Sequence, residues 1–146
     1  LKEGAVLRKY LNIALAYAIA GMVGGVFYRE FTKWNDFTGA TALGVVHAHL
    51  FILGMLVFIV IALFARSGGL EETRTFRAFM LTYNAGLVLT VAMLVVRGVV
   101  QVLGIALATG ADAAISGIAG CGHMALGAGM ILLIVSLKKQ EGLRHA

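Results

Sequence analysis

The sequence predicts an all-α integral membrane protein, a single domain in which four transmembrane helices form an up-down bundle. Three observations carry this. Of 146 residues, 60% are hydrophobic and 13% charged, whereas a soluble domain averages about 45–50% apolar and about 25% charged residues. Four apolar blocks are of bilayer-crossing length, which takes about 20 residues each. Proline is absent, so no helix need be broken on its account.

The first span covers about residues 10–27, "YLNIALAYAIAGMVGGVF". Preceded by Lys2, Arg8 and Lys9, it also fits a signal peptide, but its length of about 18 residues and lack of an obvious cleavage site favour a retained helix. Gly21 and Gly25 suit close helix–helix contact. Tyr10, Tyr17 and Tyr28 share a side with Gly21 and Gly24 and read as interfacial anchors or core filler. The remaining spans run from about 38 to 65, 79 to 108 and 113 to 137. Their connections, "YREFTKWNDF", "RSGGLEETRTFR" and "TGAD", are short, which makes neighbours antiparallel. A bundle is required because lipid offers no partner to open backbone groups.

The net charge of +5 sits in clusters between the apolar blocks, which excludes nucleic acid as a partner and instead reports orientation. Lys2, Arg8, Lys9, Arg66, Arg74, Arg77, Lys138, Lys139 and Arg144 fall on one side, against Arg29 and Lys33 on the other. Both termini are therefore expected in the cytoplasm of a bacterium, the protein crossing its inner membrane four times. Trp34 belongs to an outer aromatic belt. His145 reads as a solvated tail residue. The single cysteine, Cys121, excludes an internal disulfide and reads as a small buried hydrophobe.

The twelfth basic residue, Arg97, lies within the third span, and His47, His49 and His123 lie within the second and fourth. At ~1.5 Å per residue, each sits roughly 13–17 Å from the outer end of its span. Ionisable groups are costly in a membrane and mark function by default. No acidic residue falls inside a span to neutralise Arg97, so an anionic ligand group would serve, with Gln101 one turn on.

His47 and His49 are two residues apart, about 200° on a helix, so their rings point to opposite sides and do not chelate one ion together. Gly44 and Gly54 share the face of His47. Gly120 and Gly127 bracket His123, and these small residues leave room for a flat macrocycle. The expected arrangement is a haem ligated by His123 and one of His47 and His49, giving a low-spin six-coordinate iron, with Arg97 meeting a propionate. The "CGH" at Cys121 is not the CxxCH of covalent attachment. The haem is therefore non-covalent, of b, a or o type; b is the type expected, one per chain, or two if the second histidine holds another at a subunit contact.

The segments "FYREFTK", "HAHL" and "GxxGxGH" resemble those of a family of small bacterial membrane proteins of unassigned function. His47-Ala-His49 also distantly resembles the H-x-H of the catalytic subunit of haem–copper oxidases. That resemblance implies one histidine on a low-spin haem and the other on a high-spin haem across the helix, with His123 as the opposing low-spin ligand. No further three histidines supply the oxidase's copper.

The function expected is one-electron transfer by a membrane b-type cytochrome, with the lipid bilayer and a quinol as partners. It would act as a homodimer, a homotrimer or a subunit of a larger complex. The alternatives are a non-redox haem carrier or sensor, a copper-handling protein using Cys121, Met124, Met130 and the histidines, and a structural or assembly subunit whose histidines bond between helices.

Overall fold

The computed structural model describes residues 2–66 and 68–144, and side chains from Gly4 to Gln140 within that range. His145 lies outside the described residues. Helix 1 runs Lys2–Trp34 and helix 2 Leu43–Ala65; a 3-10 turn at Leu70–Glu72 precedes helix 3, Arg74–Val102, and helix 4 is Thr109–Arg144. All four are long and apolar enough to cross a membrane, and no strand occurs among the described residues. The chain is an all-α, up-down four-helix bundle of multi-pass membrane type.

Helix 3 ends at Val102 rather than continuing to Ala108. Gly104 adopts φ +63°, where only a residue without Cβ is unstrained. Its N–H donates to Gln101 O, and that of Ile105 to Val100 O at 3.1 Å, the two bonds of a Schellman stop. Helix 2 likewise begins at Leu43, not Thr38. The Gln101 side chain accepts from Ala42 N–H at 2.8 Å, and Thr41 Oγ1 donates to Gly98 O at 3.0 Å. The side-chain oxygen of Gln101 therefore covers the start of helix 2. At the head of helix 3, Thr73 Oγ1 caps Phe76 N–H at 3.1 Å.

Helix 2 is not uniformly α-helical. Leu50–Leu56 forms a π segment between α-helical Leu43–His49 and Val57–Ala65. Val46, Leu50, Gly54 and Phe58 are all buried and all four residues apart. The wider π turn keeps that spacing on one line, where 3.6 residues per turn would rotate it away. The Leu53 carbonyl accepts from Tyr83 O–H of helix 3 at 2.8 Å, so the irregular backbone has a partner inside the protein.

The core lies toward the Glu71 end, where Tyr10, Phe58, Ile61, Phe76, Phe79 and Tyr83 are fully buried. The rings of the five aromatic residues form a continuous chain, with Phe76–Phe79 and Phe79–Tyr83 centroids 5.4 and 5.2 Å apart. Gln140 donates to Gly68 O and Phe64 O at 2.6 and 3.2 Å, tying helix 4 to the end of helix 2. Helices 3 and 4 approach closely because a Cβ on Gly86 would sit 2.6 Å from Leu126 N and one on Gly129 2.8 Å from Tyr83 Cα. Toward the Asp112 end, much of the surface of helix 4 is exposed.

Candidate functional site

His47 and His49 leave the first α-helical segment of helix 2 on opposite sides. His47 faces helix 1: a Cβ on Gly25 would lie 3.7 Å from its own Cβ, and its ring meets Phe51 edge-on at 6.5 Å. Its Nδ1 is buried without a hydrogen-bond partner. His49 faces helix 4. Its ring centroid stands 6.2 Å from that of His123, with the ring planes at 89°.

The two rings are held in the same way. His49 Nδ1 lies 2.9 Å from Val45 O, and His123 Nδ1 lies 2.9 Å from Ala119 O, each carbonyl four residues back. A carbonyl only accepts, so in the neutral ring Nδ1 carries the proton and Nε2 keeps its lone pair. This leaves Nε2 of each ring able to accept a hydrogen bond or to ligate a metal.

The separation also has a chemical reading. Two imidazoles on opposite sides of one ion, each at a metal–nitrogen distance of about 2.0–2.1 Å and with about 1.1 Å from nitrogen to ring centre, place their centroids about 6.2–6.4 Å apart. The centroid separation of His49 and His123 falls within that spacing. Among the described residues no group of three or more His, Cys, Asp or Glu comes together to hold a metal. A metal here would need its remaining ligands from a cofactor.

The glycines divide. Cβ atoms added at Gly120 and Gly127 would meet nothing within 4 Å, so the flanks of His123 are open. Gly44 and Gly54 instead seat helix 1. A Cβ on Gly54 would lie 2.5 Å from Tyr17 Cγ, and one on Gly44 3.5 Å from Tyr28 Cζ. Those two glycines serve helix packing on the His47 side and leave no room for a macrocycle.

Arg97 differs from expectation most. Its Nη1 pairs with Asp112 Oδ1, and its Nη2 donates to Ser116 Oγ at 2.7 Å and Asp112 O at 3.3 Å. The early stop of helix 3 puts Arg97 five residues from its end, about 7.5 Å, and the short connection brings the first turn of helix 4 alongside. The charge is neutralised within the chain. The common depth inferred for four residues thus holds for His49 and His123, while Arg97 belongs to the end of the bundle. The cue for this was Gly104, the C′ glycine of helix 3, followed by an acid in the first turn of the next helix.

Two further polar contacts had no clear sequence signal. Tyr17 O–H donates to Asn84 Oδ1 at 2.6 Å, and Asn84 Nδ2 donates to Met80 O at 2.7 Å, joining helices 1 and 3. Cys121 is exposed, not buried, and Met124 is 68% exposed.

A family model described as "Protein of unknown function (DUF2871)" matches residues 7–140. No curated protein and no solved structure matches.

Proposed function

This chain belongs to that family of unassigned function, and we propose from its own residues that it is a membrane b-type cytochrome that carries single electrons. His49 on helix 2 and His123 on helix 4 are the residues that would hold one haem. The observation that carries this reading is the 6.2 Å separation of two imidazoles whose Nδ1 atoms are both engaged by backbone. The pair supplies two ligands and the porphyrin four, which accounts for the lack of a larger protein ligand cluster among the described residues. Open space at Gly120 and Gly127 supports a flat group on the helix 4 side. When bound, the haem supplies reversible one-electron chemistry at iron, and the two histidines set its low-spin state.

His47 takes no part in this site. Arg97, already paired, is not needed as a propionate anchor. The protein lies in a bacterial inner membrane with both termini cytoplasmic, an orientation that rests on the Lys and Arg distribution. An intramembrane histidine facing lipid is costly, and a haem on this side would cover His123 and its flanking glycines.

The absorption spectrum of the protein purified from haem-replete cells tests the proposal. A Soret band with sharp α and β bands after dithionite is expected. A colourless preparation refutes the cytochrome, and metal analysis then distinguishes a copper site from a purely structural histidine pair.

A further inference from the structure

On the other side of helix 2 a groove of about 720 Å³ opens between helices 1 and 3, within the range of small-molecule sites, roughly 300–1,000 Å³. Small side chains make the space: Ala16 and Ala20 on helix 1 and Ala92 on helix 3. Leu50, the residue after His49, also lines it, so the groove and the histidine pair share one turn of helix 2. The lining is almost wholly apolar, and its polar side chains are Tyr17 and Asn84.

Those two side chains are only partly used by each other. Tyr17 O–H donates to Asn84 Oδ1, and one Asn84 amide proton goes to Met80 O. The second amide proton of Asn84 and a lone pair on the Tyr17 oxygen remain. A donor and an acceptor thus stand side by side on an apolar wall. A lipid acyl chain can use neither.

We infer that this groove binds a membrane quinone, its ring oxygen accepting from Asn84 N–H and its isoprenoid tail running along the apolar lining. In the reduced form a ring hydroxyl can also donate to the Tyr17 oxygen. As the mobile redox partner of the proposed cytochrome, the inference rests on that reading for its role, but the binding site stands on the groove alone.

The test uses the full chain in dioleoyl phosphatidylcholine nanodiscs, photolabelled with an azido derivative of ubiquinone-2 and mapped by mass spectrometry. Labelling is expected to saturate, to be competed by unlabelled ubiquinone-2, and to fall within residues 13–20 and 80–92. Ala92→Phe, which fills the groove without touching the Tyr17–Asn84 bond, should lower labelling at least tenfold. Asn84→Leu should lower it about fivefold, the loss of one neutral hydrogen bond. Labelling that does not saturate, maps elsewhere, or is unaltered by Ala92→Phe overturns the inference. The label does not depend on haem. A colourless protein that labels as described therefore removes the cytochrome and keeps the site, whereas a haem-loaded protein that labels without saturation removes the site alone.

Discussion

His49 and His123 face each other across helices 2 and 4 with ring centroids 6.2 Å apart, each ring anchored to the carbonyl four residues before it. His47, two residues from His49, points into helix 1 instead. Alanine substitution should therefore divide the histidines. His49→Ala and His123→Ala should each remove the low-spin spectrum or convert it to high spin. His47→Ala should keep both the spectrum and the haem content. Loss of the low-spin signal in His47→Ala alone would reassign the axial ligand.

The glycines should divide as well. Gly86→Ala drives a methyl onto Leu126 N and Gly129→Ala onto Tyr83 Cα, backbone that cannot step aside. Each should cost about 1–3 kcal/mol through forced separation of helices 3 and 4. Gly120→Ala and Gly127→Ala meet open space and should be neutral or stabilising by up to about 1 kcal/mol through helix propensity. Reversible unfolding in mixed micelles measures both pairs. Gly120→Leu should lower haem content without loss of fold.

The four crossings were legible because hydropathy over 20 residues is a strong signal, and the opposite facing of His47 and His49 followed from helical geometry. Which of them meets His123 was not legible, because it depends on how helices 1 and 4 flank helix 2. Gly44 and Gly54 lie on the His47 face, against Tyr28 and Tyr17 of helix 1, but hydropathy does not say whether a glycine admits a ligand or a tyrosine. Hydropathy places Arg97 deep within a span because the apolar "IALA" after Gly104 prolongs the signal past a helix already stopped by backbone geometry.

Gly104 offers a direct check of that stop. At φ +63° any side chain other than hydrogen is strained. Gly104→Ala should cost about 1 kcal/mol, and Gly104→Asn less, because asparagine tolerates the left-handed region. Paired with Asp112→Asn, which removes the carboxylate from Arg97, the loss should exceed that of either change alone, since both loosen one connection. Unfolding curves of the two single variants and the double variant give the comparison.

At the opposite end Glu71 joins the 3-10 turn to helix 1, accepting from Tyr10 O–H and from Lys9 Nζ at 2.9 Å. The Tyr10 hydrogen bond first, and then the Lys9 contact, hold its carboxyl below the ordinary value of 4.5. A carboxylate whose pKa is lower folded than unfolded binds fewer protons in the native state. Stability from this contact is therefore complete above the unfolded pKa and is lost as pH falls through the folded one. Acid should weaken the Glu71 end, where Tyr10 enters the aromatic core against Phe76 at 5.9 Å. Unfolding midpoints measured from pH 7 down to pH 3 should decline in the wild type, while Glu71→Gln should start lower and decline less. Parallel curves for the two proteins would mean that the carboxylate contributes nothing to holding the turn against helix 1.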